Sequence, residues 1–109
     1  MANRKSKSFV MEGEFIYTHC IIVGSQTIEI PVEVVYQLVV RDKIVERAHY
    51  QALPIYVELF KNDPRLKSSI IPLFPEISYA VYRSAGNKLI KQINELGYEI
   101  PESTIASFI

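Results

Sequence analysis

The sequence predicts an α+β domain in which a small N-terminal antiparallel β-sheet packs on two helices. Apolar residues alternate with period two in the first part of the chain, and the period changes to that of a helix after residue 42. Isoleucine and valine dominate the apolar set, which favours some β-structure. With 109 residues, 49% of them apolar and 22% charged, the chain is sufficient for one modest core. We therefore expect a single α+β domain over residues 9–109, preceded by a disordered basic arm over residues 1–8.

The first predicted element is a β-hairpin over residues 14–30. Apolar side chains fall on both faces of the segment 14–23, which is typical of a central strand or of one covered on both sides. The turn at 24–26 begins with a glycine, which can take a positive φ. The chain then returns through a second alternating run at 27–30.

The segment 32–40 is open to two interpretations. β-Branched residues at five of the ten positions 31–40 favour a third strand, with Pro31 marking a bulge or an edge. As a helix, the segment would have Pro31 in its first turn and Glu33 near the positive end of the dipole. Its apolar residues would then surround the helix axis instead of forming a stripe. A third strand is favoured, and a helix is the alternative.

A kinked helix is predicted over residues 42–62. Pro54 lies on the side opposite the apolar stripe, where it would bend the helix around the core, or separate two short helices near Leu53. The stripe is formed by Ile44, Val45, Ala48, Ala52, Ile55, Tyr56 and Leu59.

A short helix over 65–71 and a long C-terminal helix over 75–96 complete the predicted fold. Asp63 and Pro64 are suited to open the short helix, and Gly97 is suited to close the long one in a left-handed conformation. A break of the long helix near Gly86 is possible, but the apolar stripe keeps its register across that position. The stripe consists of Ser78, Tyr82, Ala85, Leu89, Ile93 and Leu96.

Composition and motifs argue against an enzyme. Twelve basic residues balance twelve acidic ones, so no global field attracts nucleic acid or an anionic membrane. The single cysteine, Cys20, which we expect to be buried, excludes an internal disulfide and a cysteine-built zinc site. His19 and His49 lack a carboxylate cluster, and no phosphate-binding, metalloprotease or hydrolase motif is present. We therefore predict no catalytic residue, metal or cofactor, no membrane span, and a reducing, cytoplasmic setting.

Two groups of polar residues could bind nucleic acid or an anionic ligand such as a nucleotide. Arg4, Lys5 and Lys7 form the basic arm, which could contact a phosphate backbone. The second group is a glycine-containing patch around 82–88. An interruption of the helix at Gly86 would expose amides for an anion there. The side chains of this second group are Tyr82, Arg83, Asn87, Lys88 and Lys91.

The C-terminal twenty residues resemble the helix-turn-helix regions of some bacterial repressors and transposases. Gly97, Ile100, Ser103-Thr104 and Ile105 match the spacing of the turn glycine, the apolar plug and the Ser/Thr cap of such motifs. The resemblance implies a cap that also touches phosphate. The basic residues that follow in those families are replaced here by an apolar tail.

The favoured interpretation of this ending is therefore a helix stop followed by a packed tail. Its apolar and aromatic residues predict an interface made by Tyr98, Ile105, Phe108 and Ile109. Together these features predict a small non-catalytic binding or regulatory protein. It would act as a homo-oligomer or by docking on a protein partner, with nucleic-acid binding and nucleotide binding as alternatives.

Overall fold

The structure is a computed structural model that describes residues 7–106. It confirms the α+β class: a three-stranded antiparallel sheet is followed by helices that cover one of its faces. The elements are β1 (Phe9–Val23), β2 (Gln26–Arg41), β3 (Ile44–Pro54), α1 (Val57–Asn62), α2 (Arg65–Ile70), a 3₁₀ turn (Ile71–Leu73), α3 (Phe74–Glu95) and α4 (Glu102–Ile105).

The hairpin is much longer than the predicted 14–30. β1 and β2 pair without irregularity from Phe9 opposite Val40 to Val23 opposite Gln26. The predicted third strand at 32–40 is a strand, as favoured, but it is the continuation of β2. Pro31 is accommodated inside β2 because β3 ends beside it, at Pro54 opposite Val32. At 16 residues and roughly 3.3 Å per residue, β2 accounts for most of the molecule's 68 Å length.

The predicted helix over 42–62 is wrong in its first half, because residues 44–54 form β3. Asp42 and Lys43 have φ of 52° and 64° and make the two-residue turn into this strand. The pairing with β2 then shifts by one residue, from Val45 opposite Val40 to Arg47 opposite Val39. This bulge at Glu46 places Val45 and Ala48, three residues apart, on the same side of the strand. That spacing imitates a helix in the sequence.

The helical layer follows the prediction more closely. Only 57–62 of the predicted kinked helix is helical, as α1, and α2 is the expected short helix. α3 matches the predicted helix 75–96 within one residue at each end and continues through Gly86. Ala85, Leu89 and Ile93 of the predicted stripe are buried, whereas Ser78, Tyr82 and Leu96 are exposed. The other buried residues of α3 are Ile77, Val81 and Gly86.

The core lies between this layer and one face of the sheet. β2 contributes most to it because it is the central strand, and its alternate residues are completely or almost completely buried. The buried residues of β2 are Ile28, Ile30, Val32, Val34, Leu38 and Val40.

After α3 the chain turns back on the outer edge of β3. Gly97 takes φ 87°, the left-handed stop expected of it. The amide of Glu99 donates to the carbonyl of Lys43 at 2.8 Å, and the amide of Val45 donates to the carbonyl of Glu99 at 2.9 Å. The buried hydroxyl of Thr104 donates to the carbonyl of Val45 at 3.1 Å. The start of β3 is therefore covered by the C-terminal segment.

Candidate interaction surface

The sheet has one covered face and one face that no described element covers. Along β1 and β2, side chains alternate between the helical layer and solvent, so every second residue lies on what we call the open face. On β3 the open face continues through Arg47, His49, Gln51 and Leu53. The open-face residues of β1 are Val10, Glu12, Glu14, Ile16, Thr18, Cys20 and Ile22.

Large apolar side chains stand exposed on the open face. Val10 is 59% exposed, Ile16 67%, Ile22 76% and Leu53 51%. Single exposed apolar residues are normal on protein surfaces, but here three lie at regular intervals of six residues along one strand. These exposed apolar residues could have been anticipated from the sequence, because both faces of the segment 14–23 are largely apolar. The sequence predicted a central strand or one covered on both sides. Within the described chain β1 is instead an edge strand, and only one of its faces is covered.

β1 also presents a free backbone edge. The strand order is β1-β2-β3, so the outer side of β1 has no neighbouring strand within the described chain. β1 is 15 residues long, contains no proline and pairs with β2 without a bulge. These are the features that leave an edge able to accept another strand. The opposite edge of the sheet is partly occupied, since Glu99 bridges to Ile44 there.

Polar groups on the open face gather in a shallow depression of about 530 Å³. It is lined by residues of all three strands, and the amide of Gln37 donates to the carboxylate of Glu12 at 3.1 Å across its floor. Glu12 and Glu14 make this part of the face acidic, whereas Arg41 and Arg47 lie toward one end of it. The lining residues are Glu12, Gly13, Glu14, Val35, Tyr36, Gln37, His49 and Gln51. The depression has hydrogen-bonding groups but no nucleophile paired with a base.

Arg4 and Lys5 of the predicted basic arm lie outside the described residues. Lys7 is exposed and in no regular element. The hydroxyl of Ser8 donates to the carboxylate of Glu46 at 2.9 Å and accepts from the guanidinium of Arg41 at 3.0 Å. The chain just before β1 is therefore tied to the neighbouring strands, and a nucleic-acid role of the arm stays a prediction.

The five predicted binding residues of α3 are all exposed, and three of them contact aromatic rings. Tyr82 stacks on Tyr50, with 4.5 Å between the ring centroids and 14° between the ring planes. Arg83 lies over the ring of Tyr79 at 5.8 Å. The ammonium of Lys88 lies 5.0 Å from the centroid of the Tyr17 ring.

Lys88 and Lys91 line a second depression of about 320 Å³, next to Phe15 and Tyr17 of β1. Because α3 is continuous through Gly86, the amide site that would have required a new helix start does not form. Anion binding by the five side chains, Asn87 among them, stays a prediction.

The C-terminal segment is folded differently from a helix-turn-helix. α4 has four residues, and its Pro101 cap makes no side-chain bond. Thr104 is directed at β3 instead of solvent, so its hydroxyl is not placed to touch a phosphate. Over residues 97–106 the resemblance is therefore limited to the spacing of residues, and this segment packs on β3 as the interpretation of a packed tail expects.

Two of the four predicted interface residues, Tyr98 and Ile105, lie in the part of the chain that the structure describes. Tyr98 packs on the core and meets Phe9 edge-on, at 6.5 Å between ring centroids. Ile105 is half-buried. Phe108 and Ile109 lie outside the described residues. Tyr98 is thus used within its own chain, whereas the exposed apolar residues of β1 were not singled out from the sequence.

Three tyrosine hydroxyls lie in the layer between the sheet and the helices. Tyr17 donates to the carbonyl of Val81 at 3.1 Å and Tyr50 to that of Tyr82 at 3.0 Å. Burial raises the pKa of Tyr17, of Tyr50 and of Tyr56 above the ordinary value of 10.0. Bonding to Tyr82 raises the pKa of Tyr50 further. The three hydroxyls are therefore protonated at neutral pH and do not act as bases.

Other reactive groups are dispersed. Cys20 is a free thiol that lies exposed on the open face, so the expectation that it is buried was wrong. Among residues 7–106 no group of three or more His, Cys, Asp or Glu side chains is placed to hold a metal ion. None of the described helices is both long enough and apolar enough to span a bilayer.

Comparison with known proteins gives no family to which the chain can be assigned. No protein-family model matches it, and no match was found among curated proteins or solved structures.

Proposed function

We propose that this chain is a small non-catalytic binding protein that acts by self-association or by docking on a protein partner, through the uncovered side of its sheet. The observation that carries the proposal is the row of exposed apolar side chains along β1, in which Val10 is 59% exposed, Ile16 67% and Ile22 76%.

Burial of these side chains against another surface would be favourable because it removes apolar area from water, at roughly 25 cal/mol per Å². The polar residues between them are suited to the rim of an interface, where contacts stay hydrated. The proposal is also supported by the dispersed titratable groups, which leave no arrangement of nucleophile, base and oxyanion donor among the described residues.

Light scattering on the purified chain at micromolar concentration tests the self-association form of this proposal. We expect a mass that is a multiple of the 12.5 kDa monomer. Replacing Ile16 and Ile22 together by threonine should shift the mass toward the monomer, because threonine keeps the β-branched shape but lowers the apolar area. A strict monomer for the unaltered chain would contradict self-association.

The matched control replaces Val57 and Ile71 by threonine. These residues are 71% and 44% exposed, but they lie in the helical layer, away from β1. The control should keep the mass of the unaltered chain. An equal decrease in the mass of both variants would indicate non-specific hydrophobic association instead of association through a defined surface.

Nucleic-acid binding along α3 is the second candidate. It is supported by the exposed side chains of Arg83, Lys88 and Lys91 on one helix, with Tyr79 65% exposed beside them. An electrophoretic shift assay at two salt concentrations tests it, because affinity from phosphate contacts falls steeply with salt. Binding should weaken in a Lys88→Gln, Lys91→Gln variant, and an absence of binding at low salt would remove the candidate.

A further inference from the structure

We propose that the free edge of β1 pairs with β1 of a second copy, antiparallel and centred on Ile16, so that two three-stranded sheets join into one of six strands. The inference rests on the proposed self-association and specifies its geometry. It is carried by the edge of β1 that no other described strand pairs with, by the regular pairing of β1 with β2, and by the order of residues along β1.

The hairpin turn determines which backbone groups of β1 point outward. Val23 and Gln26 flank a two-residue turn, so they form a pair that exchanges hydrogen bonds within the hairpin. Because such pairs alternate along an antiparallel ladder, the odd-numbered residues of β1 are bonded to β2. The even-numbered residues, from Val10 to Ile22, direct their N–H and C=O groups to the free edge.

Pairing centred on Ile16 uses the whole strand, because Phe9 and Val23 are equally distant from it. Each aliphatic or aromatic residue of β1, and its Met11, then faces another such residue of the second copy. The central pair is Ile16 with itself, and Phe15 faces Tyr17, which forms the kind of aromatic pair that stabilises neighbouring strands. Toward the ends, the apolar pairs are Phe9 with Val23, Val10 with Ile22, and Met11 with Ile21.

The two acidic residues of β1 distinguish this register from its neighbours. In the proposed register Glu12 faces Cys20 and Glu14 faces Thr18, so no like charges are opposed. A register in which residue 12, 13 or 14 lies at the twofold centre would place two glutamates opposite each other, which is destabilising. If residue 15 lies at the twofold centre, Glu14 faces Ile16 of the second copy. If residue 17 lies there, Glu12 faces Ile22. Both of these place a carboxylate against an apolar side chain.

The extent of the contact is sufficient for a specific interface. Seven outward-directed residues on each copy would exchange about fourteen backbone hydrogen bonds, compared with roughly ten in a typical protein interface. The contact is isologous, since the same strand is used on both sides, and it closes with twofold symmetry. It would also satisfy backbone groups that a long unprotected edge otherwise exposes to indiscriminate pairing.

Cysteine cross-linking tests both the contact and its register. Glu12→Cys places a thiol opposite the native Cys20 of the second copy, as a hydrogen-bonded pair with Cα atoms about 5.5 Å apart, within disulfide range. The two thiols of one chain lie eight residues apart on an extended strand and cannot join. After oxidation with diamide, we expect a dimer band on a non-reducing gel that reducing agent removes.

Glu14→Cys is the matched control. In the proposed register residue 14 is displaced by two residues from Cys20 of the second copy, with about 7–8 Å between their Cα atoms. This variant should therefore give no dimer band. The unaltered chain, with Cys20 alone, should give none either. A dimer band from Glu14→Cys in place of Glu12→Cys would overturn the register and with it the proposal.

Light scattering separates the two possible failures. If the chain is a dimer and Glu12→Cys does not cross-link, the edge pairing is wrong while self-association stands. If the chain is a monomer and no variant cross-links, both the edge pairing and the proposed self-association are wrong.

Discussion

At the scale of single residues, Thr104 secures the C-terminal tail to the sheet. Its hydroxyl donates to the carbonyl of Val45, and the residue is 7% exposed. Thr104→Val keeps the shape and removes the donor, so we expect a loss of about 1–2 kcal/mol in unfolding free energy, measured by urea denaturation. Ser103→Ala, at an exposed neighbour, should change it by less than about 0.5 kcal/mol. Equal effects would contradict this role of Thr104.

Gly13 is required by a close approach of Tyr36. A Cβ at residue 13 would overlap the end of the Tyr36 ring, which lies across it from the paired strand. Gly13→Ala should therefore lower the unfolding free energy by about 1–3 kcal/mol, as overpacking does. Adding Tyr36→Leu should reduce the effect of Gly13→Ala, because the shorter side chain leaves room. A double-mutant cycle without such coupling would contradict the explanation.

The buried tyrosines predict a loss of stability in alkaline solution. Tyr17, Tyr50 and Tyr56 have pKa values raised above 10.0 in the folded state, mainly by burial. Above about pH 10 the unfolded chain loses these protons first, so it binds fewer protons than the folded chain and the unfolding free energy falls with pH. Below pH 10 the contribution of the protonated tyrosines to the unfolding free energy is fully present. Denaturation at pH 8 to 11 measures the slope.

Tyr56→Phe is the comparison variant for this slope. The Tyr56 hydroxyl is buried without a hydrogen-bond partner among the described residues. Removal of this hydroxyl should reduce the slope of the unfolding free energy against pH in alkaline solution. At pH 7 the unfolding free energy should be unchanged or higher by up to about 1 kcal/mol. An unchanged slope would indicate that Tyr56 does not contribute to it.

At the scale of elements, the sequence predicts the long helix and the hairpin but not β3. α3 could be predicted because its apolar stripe and its glycine stop are local features. β3 could not, because the bulge at Glu46 breaks the period of two and leaves Val45 and Ala48 at helical spacing. The turn at Asp42-Lys43 also lacks the glycine that usually marks a two-residue hairpin.

That turn provides an element-scale prediction. Lys43 has φ 64°, a conformation that costs a residue with a Cβ atom roughly 1 kcal/mol and glycine almost nothing. Lys43→Gly should therefore raise the unfolding free energy by up to about 1 kcal/mol. Lys43→Ala, which removes the charge but keeps the Cβ atom, should give no such gain. Chemical denaturation of both variants is the measurement, and a gain in the alanine variant would point to charge instead.

At the scale of the whole molecule, the candidate site was only half predictable. The apolar residues on both faces of β1 were visible in the sequence. That one of those faces would remain open depends on how many strands and helices the chain supplies, which is a property of the complete fold. The long edge of β1 follows from the same cause, because residues 7–106 provide a strand on one side of β1 only.

Edge pairing predicts that thermal stability depends on protein concentration. Association that occurs only in the folded state shifts the unfolding equilibrium, so Tm should rise by several degrees over a hundredfold increase in concentration. Ile16→Lys would oppose two lysines at the centre of the contact and should abolish the dependence. Ile16 is 67% exposed in the single chain, so the variant should still fold.

Leu53→Lys is the control, because Leu53 is 51% exposed on the same open face but lies on β3, away from the free edge of β1. It should keep the dependence of Tm on concentration. If Leu53→Lys abolished it as Ile16→Lys does, the copies would meet through their open faces and not through the edge of β1. Because the two residues share the face and differ in their distance from the edge, the pair of variants distinguishes these two modes of association.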